Sequence, residues 1–116
     1  MTTISIQSRG DISEEDATAA IAAMGFHGGP RDLVGETEDF HWHDFDIAAY
    51  VINGEGAFEL SDGTILTAGP GTFVQVPRGT VHRDVPGSSY RVVLGISVPL
   101  SELSGPTNIA VDQLPT

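Results

Sequence analysis

The fold of this chain is read from His41-Trp42-His43, which has Gly35 six residues before it and Gly54 eleven after it. A second stretch answers it: Gly71-Thr72-Phe73-Val74-Gln75-Val76-Pro77-Arg78-Gly79-Thr80-Val81-His82, with the spacing G-x5-P-x-G-x2-H. On a strand, residues i and i+2 point to the same face. His41 and His43 therefore stand side by side. Two imidazoles on one face each bring a donor and an acceptor that burial would leave to be satisfied. They also suit chelation of a metal. The plain alternative is a pair of histidines on a solvent-facing strand.

From about Leu33 onward the chain reads as short strands with turn punctuation. Residues 47–52 are β-branched and apolar. Asn53-Gly54 reads as a hairpin turn, with 57–60 as the return strand. Asp62-Gly63 is a second turn of the same type. Two further strands, 64–67 and 72–76, are separated by Gly69-Pro70-Gly71. Pro77-Arg78-Gly79 turns the chain again, and strands at 81–85 and 90–98 flank Pro86-Gly87-Ser88-Ser89. This regular close spacing predicts an antiparallel sandwich or barrel.

Outside that region, Ser13-Glu14-Glu15-Asp16 opens a helix. Ser13 is a good N-cap, and the acids of the first turn suit the helix dipole. Ala17, Ala20, Ile21 and Met24 then repeat at helical spacing, and Gly25 ends the helix. His27-Gly28-Gly29-Pro30 reads as a loop with a solvated His27. Residues 4–6 are the candidate for an added edge strand. Residues 99–116 are rich in Pro, Ser and Thr and read as a segment that wraps the surface or frays.

With these spacings the chain resembles the cupins. Their first motif reads G-x5-H-x-H-x3-4-E-x6-G, and their second reads G-x5-P-x-G-x2-H-x3-N. Gly35, His41, His43 and Gly54 match the first; Gly71, Pro77, Gly79 and His82 match the second. The likeness runs from Gly35 to His82 and on through Val98. It implies an all-β fold, a double-stranded β-helix or jelly-roll barrel of two packed antiparallel sheets, with the one N-terminal α-helix on its outside. The expected organisation is a single domain: strand and helix in 1–30, barrel in 31–99, tail in 100–116. The resemblance also implies that His41, His43 and His82 converge on one metal inside the barrel mouth.

Two positions depart from the pattern. The Glu position falls on Ile47, which cannot bind a metal, and the Asn position falls on Pro86. Asp46 adjoins the Glu position, but alternation sends it to the opposite face unless a bulge intervenes. Asp46 and Gln75 are carried as candidates for an additional ligand or pocket residue; Asp44 is nearer His43 but sits in a turn. Three neutral imidazoles leave a divalent ion its full charge, which favours hydroxide or an anionic substrate. Three protein ligands also leave a coordination position open, as in catalytic rather than structural sites. The expected cofactor is a divalent transition metal, Fe, Zn, Ni or Mn; imidazole suits several of these alike. The three-His pattern resembles that of the minority of cupins that are Fe(II) thiol or diketone dioxygenases.

Composition narrows the function classes. A chain of 116 residues is one domain's worth. Its five basic residues are all arginines (Arg9, Arg31, Arg78, Arg83, Arg91) against 16 acidic ones, a net charge of −11. That argues against nucleic acid and anionic membrane surfaces as partners, and reads as solubility. Zero Cys excludes disulfides, thiolate zinc sites, iron–sulfur clusters and a Cys nucleophile. No apolar run approaches the roughly 20 residues of a membrane span. Met1-Thr2-Thr3-Ile4 lacks the basic start and apolar core of a secretory signal, so a cytoplasmic location is expected.

Arg83 directly follows His82, so alternation points it out of the lumen; Arg91 is a candidate for binding an anion but has no phase. Trp42 points away from its histidine neighbours. Two function classes stand. One is a metal-dependent enzyme, dioxygenase- or isomerase-like, acting on a small molecule in the barrel. The other is a non-catalytic binding or sensing module, with or without metal. Exposed sheet edges give a motive for a homodimer.

Overall fold

The computed structural model describes residues 4–35, 39–99, 101 and 109–110. In chain order they form β1 (Ser5–Ser8), α1 (Glu14–Ala23), β2 (His27–Val34), β3 (His41–Trp42), β4 (Ile47–Leu60), β5 (Ile65–Ala68), β6 (Thr72–Val76), β7 (His82–Asp84), β8 (Ser89–Ile96) and β9 (Ile109–Ala110). The organising element is β4, 14 residues long. Its first half pairs with β6 and β8, its second half with β5 and β7. Two antiparallel sheets result, sharing β4. One runs β1-β6-β4-β8-β2 and the other β5-β4-β7-β3-β9. The all-β jelly-roll with one helix outside is thus the architecture formed.

Two local expectations are corrected. Asn53-Gly54 is not a hairpin turn: the strand continues through it. The register against β8 slips between Val51 and Asn53, and Gly54 takes a φ of 77°. Gly54 also lies so close to β8 that a Cβ would stand 2.4 Å from the Ser89 carbonyl oxygen. The dipeptide supplies a bulge where one strand bends out of the first sheet into the second. The hairpin comes at Asp62-Gly63, where the Leu60 amide donates to the Thr64 carbonyl at 2.8 Å and Gly63 donates to Leu60 at 2.9 Å.

The loop expected at 27–30 is also a strand. β2 pairs with β8 along its whole length, from His27 opposite Ile96 to Val34 opposite Ser89. Gly28 allows the close approach, since a Cβ there would lie 2.0 Å from the Leu94 carbonyl oxygen. Pro30 lacks a ladder donor, but β8 is the only strand paired with β2 among the described residues, and an edge strand tolerates proline. The division expected between residues 30 and 31 therefore falls inside a barrel strand. The tail reading of 99–116 lies largely outside the described residues; of that stretch, Ile109–Ala110 is described and pairs with β3.

Burial explains the apolar run at 47–52. Inward from the first sheet, Val51, Val74, Val76 and Val92 pack with Phe58 and Tyr90 of the barrel interior. On its outer face Ala48, Tyr50, Phe73 and Val93 are covered by Ala17 and Ile21 of α1. A sheet buried on both faces needs no polar alternation. Ser13 caps the helix as read, its Oγ accepting from the Asp16 amide at 3.0 Å. Met24, counted on the apolar stripe, is 41% exposed. Ile21 instead carries the contact, fully buried above Gly95, where a Cβ would come within 2.5 Å of its Cγ2. Ile21→Ala is expected to cost about 2–5 kcal/mol, read as a lower urea midpoint at unchanged m-value.

An ion-pair network ties the helix to the barrel. Arg91 donates from Nε to Glu14 at 2.5 Å and from Nη1 to Asp32 at 3.1 Å. The Arg91 hydrogen bond holds the Glu14 carboxyl below its ordinary value of 4.5. A depressed carboxyl contributes stability above its unfolded pKa and loses it as pH falls through the folded one. Glu14→Gln is therefore expected to flatten the acid limb of a thermal-midpoint-versus-pH curve below that value. An acid limb as steep as the wild type's would show that Glu14 contributes nothing to it.

Candidate metal centre

β3 and β7 are antiparallel neighbours with His41 directly opposite His82. Facing side chains on adjacent strands meet at close range, and His43 stands two residues beyond His41. The ring centroids are 4.8 Å apart for His41 and His82, 5.0 Å for His41 and His43, and 5.2 Å for His43 and His82. One ligating atom from each ring lies within 4.8 Å of the others. His41 and His82 are buried, and His43 is half-buried.

The turn that delivers His82 is built for that position. The Thr80 amide and hydroxyl both donate to the Pro77 carbonyl, at 3.1 and 2.8 Å. Gly79, at φ 84°, takes the third position of this turn, where a type II geometry demands positive φ. Its amide donates to the His43 carbonyl at 3.0 Å, which fastens the turn to β3's end. The Arg78 amide donates to Asp46 at 2.7 Å, and its guanidinium pairs with Asp44.

Backbone carbonyls set the tautomers. His41 Nδ1 lies 3.1 Å from the Asp39 carbonyl oxygen, and His82 Nδ1 lies 2.9 Å from that of Thr80. A carbonyl only accepts, so each Nδ1 is the donor, and in the neutral ring Nε2 is then the atom able to ligate a metal. This is how metal-binding imidazoles are oriented from behind. Tetrahedral bonds of about 2.0–2.1 Å place nitrogens about 3.3 Å apart. The three rings thus need to close by an ångström or so around an ion, within the reach of side-chain rotation.

The rings border a cavity of about 300 Å³. Every second residue of the first sheet lines it: Ile47, Ala49 and Val51 from β4, Val74 and Val76 from β6, and Tyr90, Val92, Leu94 and Ile96 from β8. The structure does not bring Asp46 or Gln75 to the histidines. Ile47 faces the cavity, so alternation turns Asp46 outward to Arg78. Gln75 is exposed between two lining valines. Arg83 points outward too, bonded to Glu59 at 2.9 Å and lying 4.2 Å over the Phe40 ring. Trp42 is buried.

Three lining residues were missed: His27, Arg31 and Asp84. Asp84 follows His82 by two on the same strand and was legible by alternation. His27 and Arg31 were hidden by the intervening Gly-Gly-Pro.

Two antiparallel sheets sharing one bent strand, wrapped around an apolar cavity with three converging imidazoles, define a small jelly-roll barrel of the double-stranded β-helix type. The cupin-domain family model matches residues 32–88. Residues 32–88 are thus similar to the cupin domain, and the fold is the all-β cupin fold.

Among solved structures it is similar to a DUF861 family protein from Thermotoga maritima, with TM-score 0.55 and 14% identity over 79% of this chain and 97% of that one. It is also similar to protein NMB1881 from Neisseria meningitidis, with TM-score 0.52 and 26% identity over 63% and 75%. A third is ectoine synthase from P. lautus, with TM-score 0.55 and 24% identity over 81% and 78%. At 14% and 24% identity, the first and third likenesses are of fold alone. No curated protein matches the chain. Among the described residues, no helix is long and apolar enough to cross a membrane.

Proposed function

We propose that this cupin-fold barrel holds a divalent transition metal, of the Fe, Zn, Ni or Mn class, on His41, His43 and His82, and that the ion anchors a small molecule in the barrel. The observation that carries the reading is the convergence of three imidazoles, with His41 and His82 buried and fixed as Nδ1–H tautomers. Bound there, a metal supplies a Lewis acid with a free coordination position. The histidines orient it, and the apolar walls exclude water from whatever lies beside it. Ile47 at the cavity face leaves the donor set neutral, which favours an anionic ligand.

Within this reading, a dioxygenase- or isomerase-like enzyme is the catalytic form. A binding or sensing barrel without turnover is the form favoured by Ile47, which replaces the carboxylate of the resembled motif. The test is elemental mass spectrometry of tag-free protein, reconstituted with each of the four metals and desalted. Near-stoichiometric retention of one metal is expected. Retention of none of them sinks the proposal.

A further inference from the structure

We infer that the barrel cavity takes a small organic monocarboxylate, and that Arg31 holds its carboxylate group. The inference rests on the reading above in that it names the ligand class for the same cavity.

Arg31 sits on β2 between Pro30 and Asp32. Asp32 bonds outward to Arg91, so alternation puts Arg31 on the cavity side with Leu33; both line the cavity, Arg31 as an exposed residue at its rim. The other four arginines are engaged. Arg9 bonds Gln7 and the Tyr50 hydroxyl, Arg78 pairs with Asp44, Arg83 with Glu59, and Arg91 with Glu14 and Asp32. Among the described residues Arg31 has no such partner, in a chain where 16 acidic side chains compete for five arginines. Beside it on the same face is Gly29, where an added Cβ would meet nothing within 4 Å. Arg31 itself is exposed, so a ligand can reach it from the cavity's open side.

The chemistry of the walls selects the ligand. A single guanidinium offers two parallel N–H donors that match one carboxylate. A phosphate dianion asks for more positive charge than one arginine, and the net charge of −11 opposes it. Asp84 lines the cavity from β7, in the other sheet. Apart from His27 and the three clustered histidines, the remaining wall is aliphatic and aromatic, and a cavity of about 300 Å³ suits a small, largely apolar body.

The test is calorimetric titration with phenylacetate and its neutral isostere phenylacetamide, on chelator-treated and metal-loaded protein. Wild type is expected to bind the acid at least about tenfold more tightly than the amide, the scale of a charge-assisted hydrogen bond. Arg31→Gln should erase that preference at an unchanged thermal midpoint, and Arg31→Lys should keep part of it. Ala49→Leu, at a lining position, should weaken both probes alike, because it narrows the cavity. Wild type binding neither probe, or both equally, overturns the inference. So does a preference that survives Arg31→Gln, which would assign the carboxylate to the ion instead. A preference present in metal-free protein and lost in Arg31→Gln supports Arg31 even if no metal is ever retained, so the two readings fail separately.

Discussion

His82→Ala is expected to abolish stoichiometric metal retention while the barrel stays folded. The variant leaves two imidazoles on one strand end and removes the cross-strand donor that sits opposite His41. Losing a residue that merely orients a ligand costs 10–100-fold in metal affinity, so losing a ligand should cost roughly a hundredfold or more. A stability readout runs in parallel. At a metal concentration about a hundred times Kd, binding to the native state adds about 2.7 kcal/mol. For a domain of this size that raises Tm by roughly 10 °C. Wild type should show the rise and His82→Ala should not. The metal-free variant should itself be only modestly weaker, by about 1 kcal/mol for the lost bond to the Thr80 carbonyl. Equal metal retention by variant and wild type would remove His82 from the site.

Ile47→Glu should move the site the other way. Ile47 faces the same cavity as the histidines and occupies the place where the resembled motif carries a glutamate. A carboxylate there adds a fourth donor and lowers the charge of the bound site from +2 to +1. Metal affinity, measured by competition with a chelator, is expected to rise at least tenfold. The metal-free protein should lose about 2–3 kcal/mol, since an apolar contact is replaced by a partly buried carboxyl. The preference of the cavity for phenylacetate should shrink with it, because the site becomes less positive. Unchanged metal affinity would mean that the side chain at 47 cannot reach the ion.

Much of this was legible before any coordinates. The two-residue spacing of His41 and His43 put both rings on one strand face. The Pro-Arg-Gly turn before His82 was read as a turn and formed as one, because Gly79 must take a positive φ. That Asp46 and Ile47 face opposite ways followed from alternation; that 47 is the position facing in followed from the resemblance. The misreadings share one cause. Asn53-Gly54 and His27-Gly28-Gly29-Pro30 carry turn residues, and turn residues also serve where a strand must bend or press against its neighbour. Whether glycine marks a reversal or a close approach depends on β8, which is far from both in sequence and lies against both in space.

The sequence by itself determined the periodicities: which residues share a strand face, where the helix starts, and which side chains are able to ligate a metal. These are local properties, decided by backbone geometry over two to four residues. Tertiary structure decided what crosses between strands. It set His41 opposite His82 and bent β4 from one sheet into the other. It set Arg31 at the cavity's rim, and it bound Asp46 to Arg78 instead of the histidines. Such pairings depend on register between segments tens of residues apart, and register is settled by which faces the assembled sheets can bury together.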